Sequence, residues 1–207
     1  MSKGNRGKNK LIICCWGGPG SGKTTANLAL GAAFKTASYN LELNREYVKP
    51  WVWEGRAIQP GDQNYIFAKQ SRVERMLMKE GVEVIITDSP MALSIMYARK
   101  YDPFDKDGAS CKQMLAQHHD FCKKHGYKVE HYLIHRGNRA YNPAGRYQTE
   151  SEAKNLDQNC IDLMGELNIK FQTAEKAGDI LDDLRDKGYF TKEEIEEIKE
   201  KIRSQFE

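Results

Sequence analysis

One segment constrains this chain more than any other: Gly17-Gly-Pro-Gly-Ser-Gly-Lys-Thr24, which satisfies G-x-x-x-x-G-K-[ST] in full. It follows Leu11-Ile-Ile-Cys-Cys-Trp16, a continuous apolar run that predicts a strand buried on both faces. It precedes Thr24–Phe34, an Ala- and Leu-rich stretch that predicts a helix. The chemistry needs this order. Glycines let backbone N–H groups wrap a polyphosphate, and the helix start adds its positive dipole end. Gly17, Gly18, Pro19, Gly20, Ser21 and Gly22 are therefore expected to cradle phosphates, with Lys23, Thr24 and Thr25 completing the set. Lys23 is expected at the β- and γ-phosphates, and the Thr24 hydroxyl on Mg²⁺. The pattern says nothing of what becomes of the γ-phosphate, since hydrolases and transferases share it.

Further apolar runs alternate with helical stretches. A weak second strand is expected near Tyr39–Leu43, running into Arg45-Glu-Tyr-Val-Lys49, and Val82–Thr87 is a second buried run. Lys128–His135 and Ile169–Thr173 complete a set of five expected strands. Helices are expected over Asp62–Lys79 (apolar stripe Ile66, Val73, Met76, Leu77), from Met91 to about Tyr101, up to His125-Gly126, and over Glu150–Leu167 and Ala177–Lys187. Thr191-Lys-Glu-Glu194 is a capping box opening a charged terminal helix. Such alternation predicts an α/β fold, a doubly wound parallel five-stranded sheet with helices on both faces. Ligands of such sheets sit at the carboxyl ends of the strands, which brings distant segments to one place.

Length and composition narrow the class. With 207 residues, 40 % hydrophobic and 29 % charged, the chain suits one soluble domain. The expected division is a basic tail over 1–9, a nucleotide-binding domain over 10–190 and a charged helix over 191–207. No apolar run approaches the roughly 20 residues that span a bilayer, and Met1–Lys10 lacks a secretory core. Five cysteines without a C-x-x-C pair argue for free thiols in a reducing compartment, so a cytoplasmic location without a membrane partner is expected. The net charge of +3 permits a nucleic-acid partner without requiring one.

Asp88 closes the Val82–Thr87 run, where a carboxylate can join the Mg²⁺ shell or take a proton from an attacking hydroxyl; the plainer reading is a cap for the helix after Ser89-Pro90. Glu46 follows the second strand and suits a general base, with Arg45 beside it for an acceptor's phosphate; an exposed Arg-Glu pair is the alternative. Arg136, Arg139 and Arg146 lie on a Gly- and Pro-containing loop after Lys128–His135, either a solvated basic loop or a closing lid that carries guanidinium groups to transferring phosphates. Trp51, Trp53 and Arg56 suit stacking of an acceptor ring, although core packing is the commoner fate of Trp; Gln63, Gln70 and Arg72 are further candidates for the same pocket. His118 and His119 have no ligand-like partners in sequence and are expected on a helix surface.

The phosphate loop, Arg45-Glu-Tyr47, the Gln- and Arg-bearing helix, Ile-Thr-Asp88 and the arginine-bearing lid together resemble the P-loop kinases of the nucleoside- and nucleotide-kinase type. The likeness spans roughly Leu11–Thr173 and extends to ribosylnicotinamide kinase domains and phage nucleotide-kinase-like proteins, which include kinases of a hydroxymethyl pyrimidine in DNA. It implies ATP or GTP with Mg²⁺, a hydroxyl acceptor of nucleoside or nucleotide type, and, for a viral chain, the host cytoplasm. By resemblance Lys23, Asp88, Glu46, Arg136 and Arg139 are the catalytic candidates, and Thr24 with Asp88 the metal ligands. Ser89-Pro90 departs from the second acid expected after Asp88, against nicotinamide riboside as acceptor. A second class stays open, an NTPase or regulatory nucleotide-binding module without an acceptor. An AAA-type reading calls for a longer chain with a separate helical subdomain, which the sequence does not show.

Overall fold

Leu11–Trp16 (β1) is buried at every residue because it is the middle strand of the sheet. A computed structural model describes residues 10–204; the expected tail over 1–9 and the last three positions of the expected terminal helix lie outside the described residues. After β1 come α1 (Lys23–Thr36), β2 (Leu41–Asn44), α2 (Lys49–Trp53), α3 (Asp62–Lys79) and β3 (Val84–Thr87). Then follow α4 (Leu93–Tyr101), α5 (Ala109–Lys124), β4 (Lys128–Ile134), α6 (Glu150–Glu166), β5 (Gln172–Ala174), α7 (Ala177–Asp186) and α8 (Lys192–Arg203). The five strands are parallel in the order β2-β3-β1-β4-β5, the doubly wound sheet that the alternation predicted.

Side chains alternate across a strand, so β1 feeds two cores. Leu11, Ile13 and Cys15 pack with Leu30 and Phe34 of α1, Ile180 and Leu184 of α7, and Ile195 and Ile198 of α8. Ile12, Cys14 and Trp16 pack with Phe67 of α3, Ile95 of α4, Leu115 of α5 and Leu156 and Met164 of α6. The terminal helix is thus part of the first core, opened by the expected capping box of Thr191 and Glu194. All five cysteines are buried and free.

Several expectations are corrected. Pro50 lies in the first turn of a short helix, α2, which buries Trp51 and leaves Trp53 exposed. The last strand starts at Gln172 instead of Ile169. Met76 is exposed on α3, whose buried face carries polar Gln63, Gln70, Ser71 and Glu74 beside Ile66, Phe67 and Met78. His118 is buried, not on the surface, because α5 turns it toward that face. Its Nε2 lies 2.9 Å from Glu74 Oε2 and its Nδ1 3.1 Å from Ser71 Oγ. Asn44 at the end of β2 donates to Glu74 Oε1 at 3.0 Å, so one buried network joins β2, α3 and α5. Burial alone would lower the His118 pKa; hydrogen bonds with Cys122 and Glu74 and the Glu74 charge outweigh it and raise the pKa to about 9.

Candidate functional site

Three strand ends meet at the top of the sheet. β1 turns at Gly17 into the glycine loop, β2 leads to Glu46, and β3 ends beside Asp88. Gly20 and Gly22 hold φ of +80° and +107°, values that L side chains rarely adopt, and Gly22 caps α1. The amides of Lys23, Thr24 and Thr25 open α1 and have no intrahelical acceptor. No acid lies in that first turn, so an anion meets uncompensated N–H groups. Lys23 Nζ donates to the Gly17 and Gly18 carbonyls at 2.6 and 3.0 Å, lying along its own loop.

Thr24 Oγ1 donates to Asp88 Oδ2 at 2.7 Å. Asp88 Oδ1 is buried with no hydrogen-bond partner, as are Ser21 Oγ and the Nε and Nη1 atoms of Arg146. Orphaned buried polar atoms are costly unless something meets them. A carboxylate oxygen beside a threonine hydroxyl suits a hard divalent cation, and a guanidinium over a glycine loop suits phosphate oxygens. Those residues fit Mg²⁺ and a nucleoside triphosphate.

The arginines divide. Arg136 gives Nε and Nη2 to Asp157 of α6, at 2.7 and 3.1 Å, and further N–H groups to the carbonyls of Pro19 and Ala153. Asp157 also accepts from Gly18 N at 2.5 Å, so Arg136 and Asp157 clamp the loop to α6. Arg139 bridges the Ser21 and Glu175 carbonyls at 3.0 and 2.7 Å. Arg146 lies against the loop, where a Cβ built on Gly20 would fall 2.3 Å from its Nη1.

The segment 145–148 roofs a cleft of about 950 Å³, counting the part open to solvent. Lys49 Nζ donates to the Gly145 carbonyl at 2.5 Å, Tyr147 Oη to the Arg56 carbonyl, and Gln148 to Tyr101 Oη at 3.4 Å. Lys23, Thr24, Asp88 and Gly20 line one end of this cleft, and Glu46, Gln63, Gln70, Tyr97 and Tyr101 line the rest. Glu46 is reached by solvent through the cleft, yet protein crowds its carboxyl; desolvation raises its pKa and Asp88 adds to the rise, against Lys23, Lys49 and Arg146. Burial, helped by the Glu46 charge, also raises the Tyr97 phenol, which stays neutral.

Of the residues expected from sequence, the cleft gathers Gly17, Pro19, Gly20, Lys23, Thr24, Glu46, Gln63, Gln70, Asp88 and Arg146. Trp51 and Arg56 stand outside it: the guanidinium carbon lies 3.5 Å from the Trp51 ring centroid, and Arg56 pairs with Asp62 at 3.0 Å. Trp53 is exposed and packs against the loop at Gly145. Arg45 and Arg72 are exposed on the outer surface. Tyr97, Tyr101, Lys49 and Asp157 went unnoticed in sequence; Tyr97 and Tyr101, four apart and stacked at 6.2 Å, were a readable helical pair.

A family model described as an AAA domain matches residues 12–183. The chain belongs to that family. The match holds although the sequence shows no separate helical subdomain, the feature an AAA-type reading was expected to require. This AAA-family domain has the five-stranded parallel sheet and phosphate loop of a P-loop NTPase, a nucleotide-binding fold. No curated protein matches it. Among solved structures, a mutant of the Mycobacterium tuberculosis APS kinase CysC is similar at 13 % identity and a TM-score of 0.37, over 76 % of this chain and 98 % of that one. A protein named APE1195 is similar at 13 % identity and a TM-score of 0.44, over 97 % and 98 %. Among the described residues no helix is long and apolar enough to cross a membrane.

Proposed function

We propose that this domain is a kinase that transfers the γ-phosphoryl group of ATP or GTP to a hydroxyl of a nucleoside- or nucleotide-like acceptor. The observation that carries the reading is one continuous cleft with the phosphate loop at one end and Glu46 on its wall, under a roof that includes Arg146. A hydrolase needs water at the γ-phosphate; a kinase needs a walled space beside it that excludes bulk water and holds an alcohol. Glu46 accepts the proton of the acceptor hydroxyl as that oxygen bonds to phosphorus. The bond from phosphorus to the bridging oxygen breaks, and the nucleoside diphosphate leaves. A carboxylate with a raised pKa is the better base for this step. Thr24 and Asp88 would hold Mg²⁺, which neutralises charge on the phosphates when bound. Arg146, with its unpartnered Nε and Nη1, meets the transferring group. Arg136 and Arg139 serve by holding the loop.

The family match favours a second reading, a nucleotide-driven module without an acceptor. γ-Labelled ATP separates the two. Label moved to an added alcohol supports the kinase, and steady hydrolysis that no hydroxyl compound alters overturns it. The same assay with an oligonucleotide bearing 5-hydroxymethyluracil tests whether the acceptor is a base in DNA.

A further inference from the structure

A buried polar cluster interrupts the apolar layer under α3. Asn44, Gln70, Ser71, Glu74 and His118 are all buried, on the side of the sheet where Ile12, Trp16 and Phe67 build a core. Well-packed apolar side chains of the same volume would cost less there. Asn44, Ser71, Glu74 and His118 do not line the cleft, so none of the four reaches a reacting atom.

The ladder between β2 and β3 ends at the pair Asn44 and Thr87, two residues before Glu46 and one before Asp88. Beyond that pair no strand bonding fixes one carboxylate against the other. Asp88 is held by Thr24 at 2.7 Å, whereas the Glu46 carboxyl has no hydrogen-bond partner among the described residues. The place of Glu46 therefore follows from where β2 stops. One turn of α3 sets that point, because positions 70 and 74 share a face of the helix. Asn44 Nδ2 donates to the Gln70 carbonyl at 3.3 Å and to Glu74 Oε1 at 3.0 Å. The same turn reaches β3: Gln70 Nε2 donates to the Ser89 carbonyl at 3.0 Å, and Ser89 N donates to Thr87 Oγ1 at 3.1 Å. Glu74 is braced in turn from α5, its Oε2 lying 2.9 Å from His118 Nε2, while Ser71 Oγ lies 3.1 Å from His118 Nδ1.

Resting on the kinase reading, in which Glu46 is the base, we infer that Asn44 and Glu74 are positioning residues: the Glu74 carboxyl, braced by His118, anchors Asn44 and thereby fixes Glu46 against Asp88 and the γ-phosphate. A misplacement of about 1 Å at a reacting group can cost about 100-fold in rate. The nucleotide is held elsewhere, by the glycine loop and α1, to which none of these five side chains hydrogen-bonds. Loss of the anchor should therefore spare nucleotide binding and slow transfer.

The test compares N44A and E74L, which remove the anchor, with E74Q, which retains an oxygen for Asn44 and an N–H for a neutral His118 ring. Transfer from γ-labelled ATP is measured below the melting temperature of each variant. In N44A and E74L, kcat should fall about 10- to 100-fold with the KM for ATP within about twofold of wild type, and E74Q should stay within about threefold of wild type. Crystal structures of the variants give a readout that needs no acceptor: Glu46 should shift by about 1 Å or more relative to Asp88 in N44A and E74L, and not in E74Q. An E74L protein that melts lower but transfers at the wild-type kcat assigns the cluster to packing and overturns the inference, as does an E74Q as slow as E74L. Should E74L fail to fold, N44A and E74Q decide in the same way. If the wild type transfers label to no alcohol, the kinase reading fails and the crystals decide the rest: Glu46 displaced in N44A supports the anchor, and Glu46 unmoved overturns it.

Discussion

Thr24 Oγ1 and Asp88 Oδ2 lie 2.7 Å apart, joining the first turn of α1 to the end of β3 across 64 residues of sequence. The bond leaves Asp88 Oδ1 buried and unmet. A helix cap would turn its carboxylate to the N–H groups of the helix that follows; Asp88 turns instead to the phosphate loop. D88N keeps the shape and removes the charge. Turnover should fall by about two decades, the size of one lost electrostatic contact to the transition state, with reduced Mg²⁺ dependence and an unchanged circular dichroism spectrum. Full activity would return Asp88 to a capping role.

Arg136 and Arg146 should fail differently. Arg136 has its N–H groups on Asp157, Pro19 and Ala153, so R136A should lower the melting temperature and weaken ATP binding together. Arg146 has orphaned nitrogens over the loop, so R146A should lower kcat at least about tenfold and leave the melting temperature near wild type. Thermal unfolding and steady-state kinetics on the two variants check the contrast.

The Glu46 carboxyl should set the acid limb of the kcat/KM profile. The base must be ionised, and its pKa is raised, so activity should rise with pH through a limb above the ordinary value of 4.5. In E46Q that limb should vanish along with most of the transfer rate. A wild-type limb at or below 4.5 would point to another base.

The buried His118–Glu74 pair predicts a stability profile. The His118 pKa is raised from 6.5 to about 9, so its contribution is complete below pH 6.5 and lost as pH climbs to about 9. Chemical denaturation across that range should show wild type weakening toward H118Q. Truncation by H118A, which leaves the Glu74 charge unpaired, should cost about 3–5 kcal/mol at pH 6.5.

Much of this was legible in the chain, and the failures share a cause. Apolar runs such as Leu11–Trp16 announce central strands because both faces are buried, and the glycine pattern announces its own loop conformation. His118 was misread because the partner that makes it a core residue, Glu74, lies 44 positions away on another helix. The arginines were readable as a set and not one by one: what separates Arg136 from Arg146 is Asp157, whose place beside Gly18 depends on the packing of α6. Met76 matched the helical period, yet α5 covers the face of Phe67, Ser71 and Glu74. Periodicity tells that a stripe exists; the neighbouring element decides which stripe is covered.

The burial of Cys14, Cys15, Cys111, Cys122 and Cys160 has a practical side. A maleimide dye should find no accessible thiol on the folded protein, so P143C, at an exposed position two residues before the roof, would give a chain with one reporter. Spin or fluorescent labels there would report whether the roof changes position when nucleotide binds, without removal of any native sulfur from the two cores.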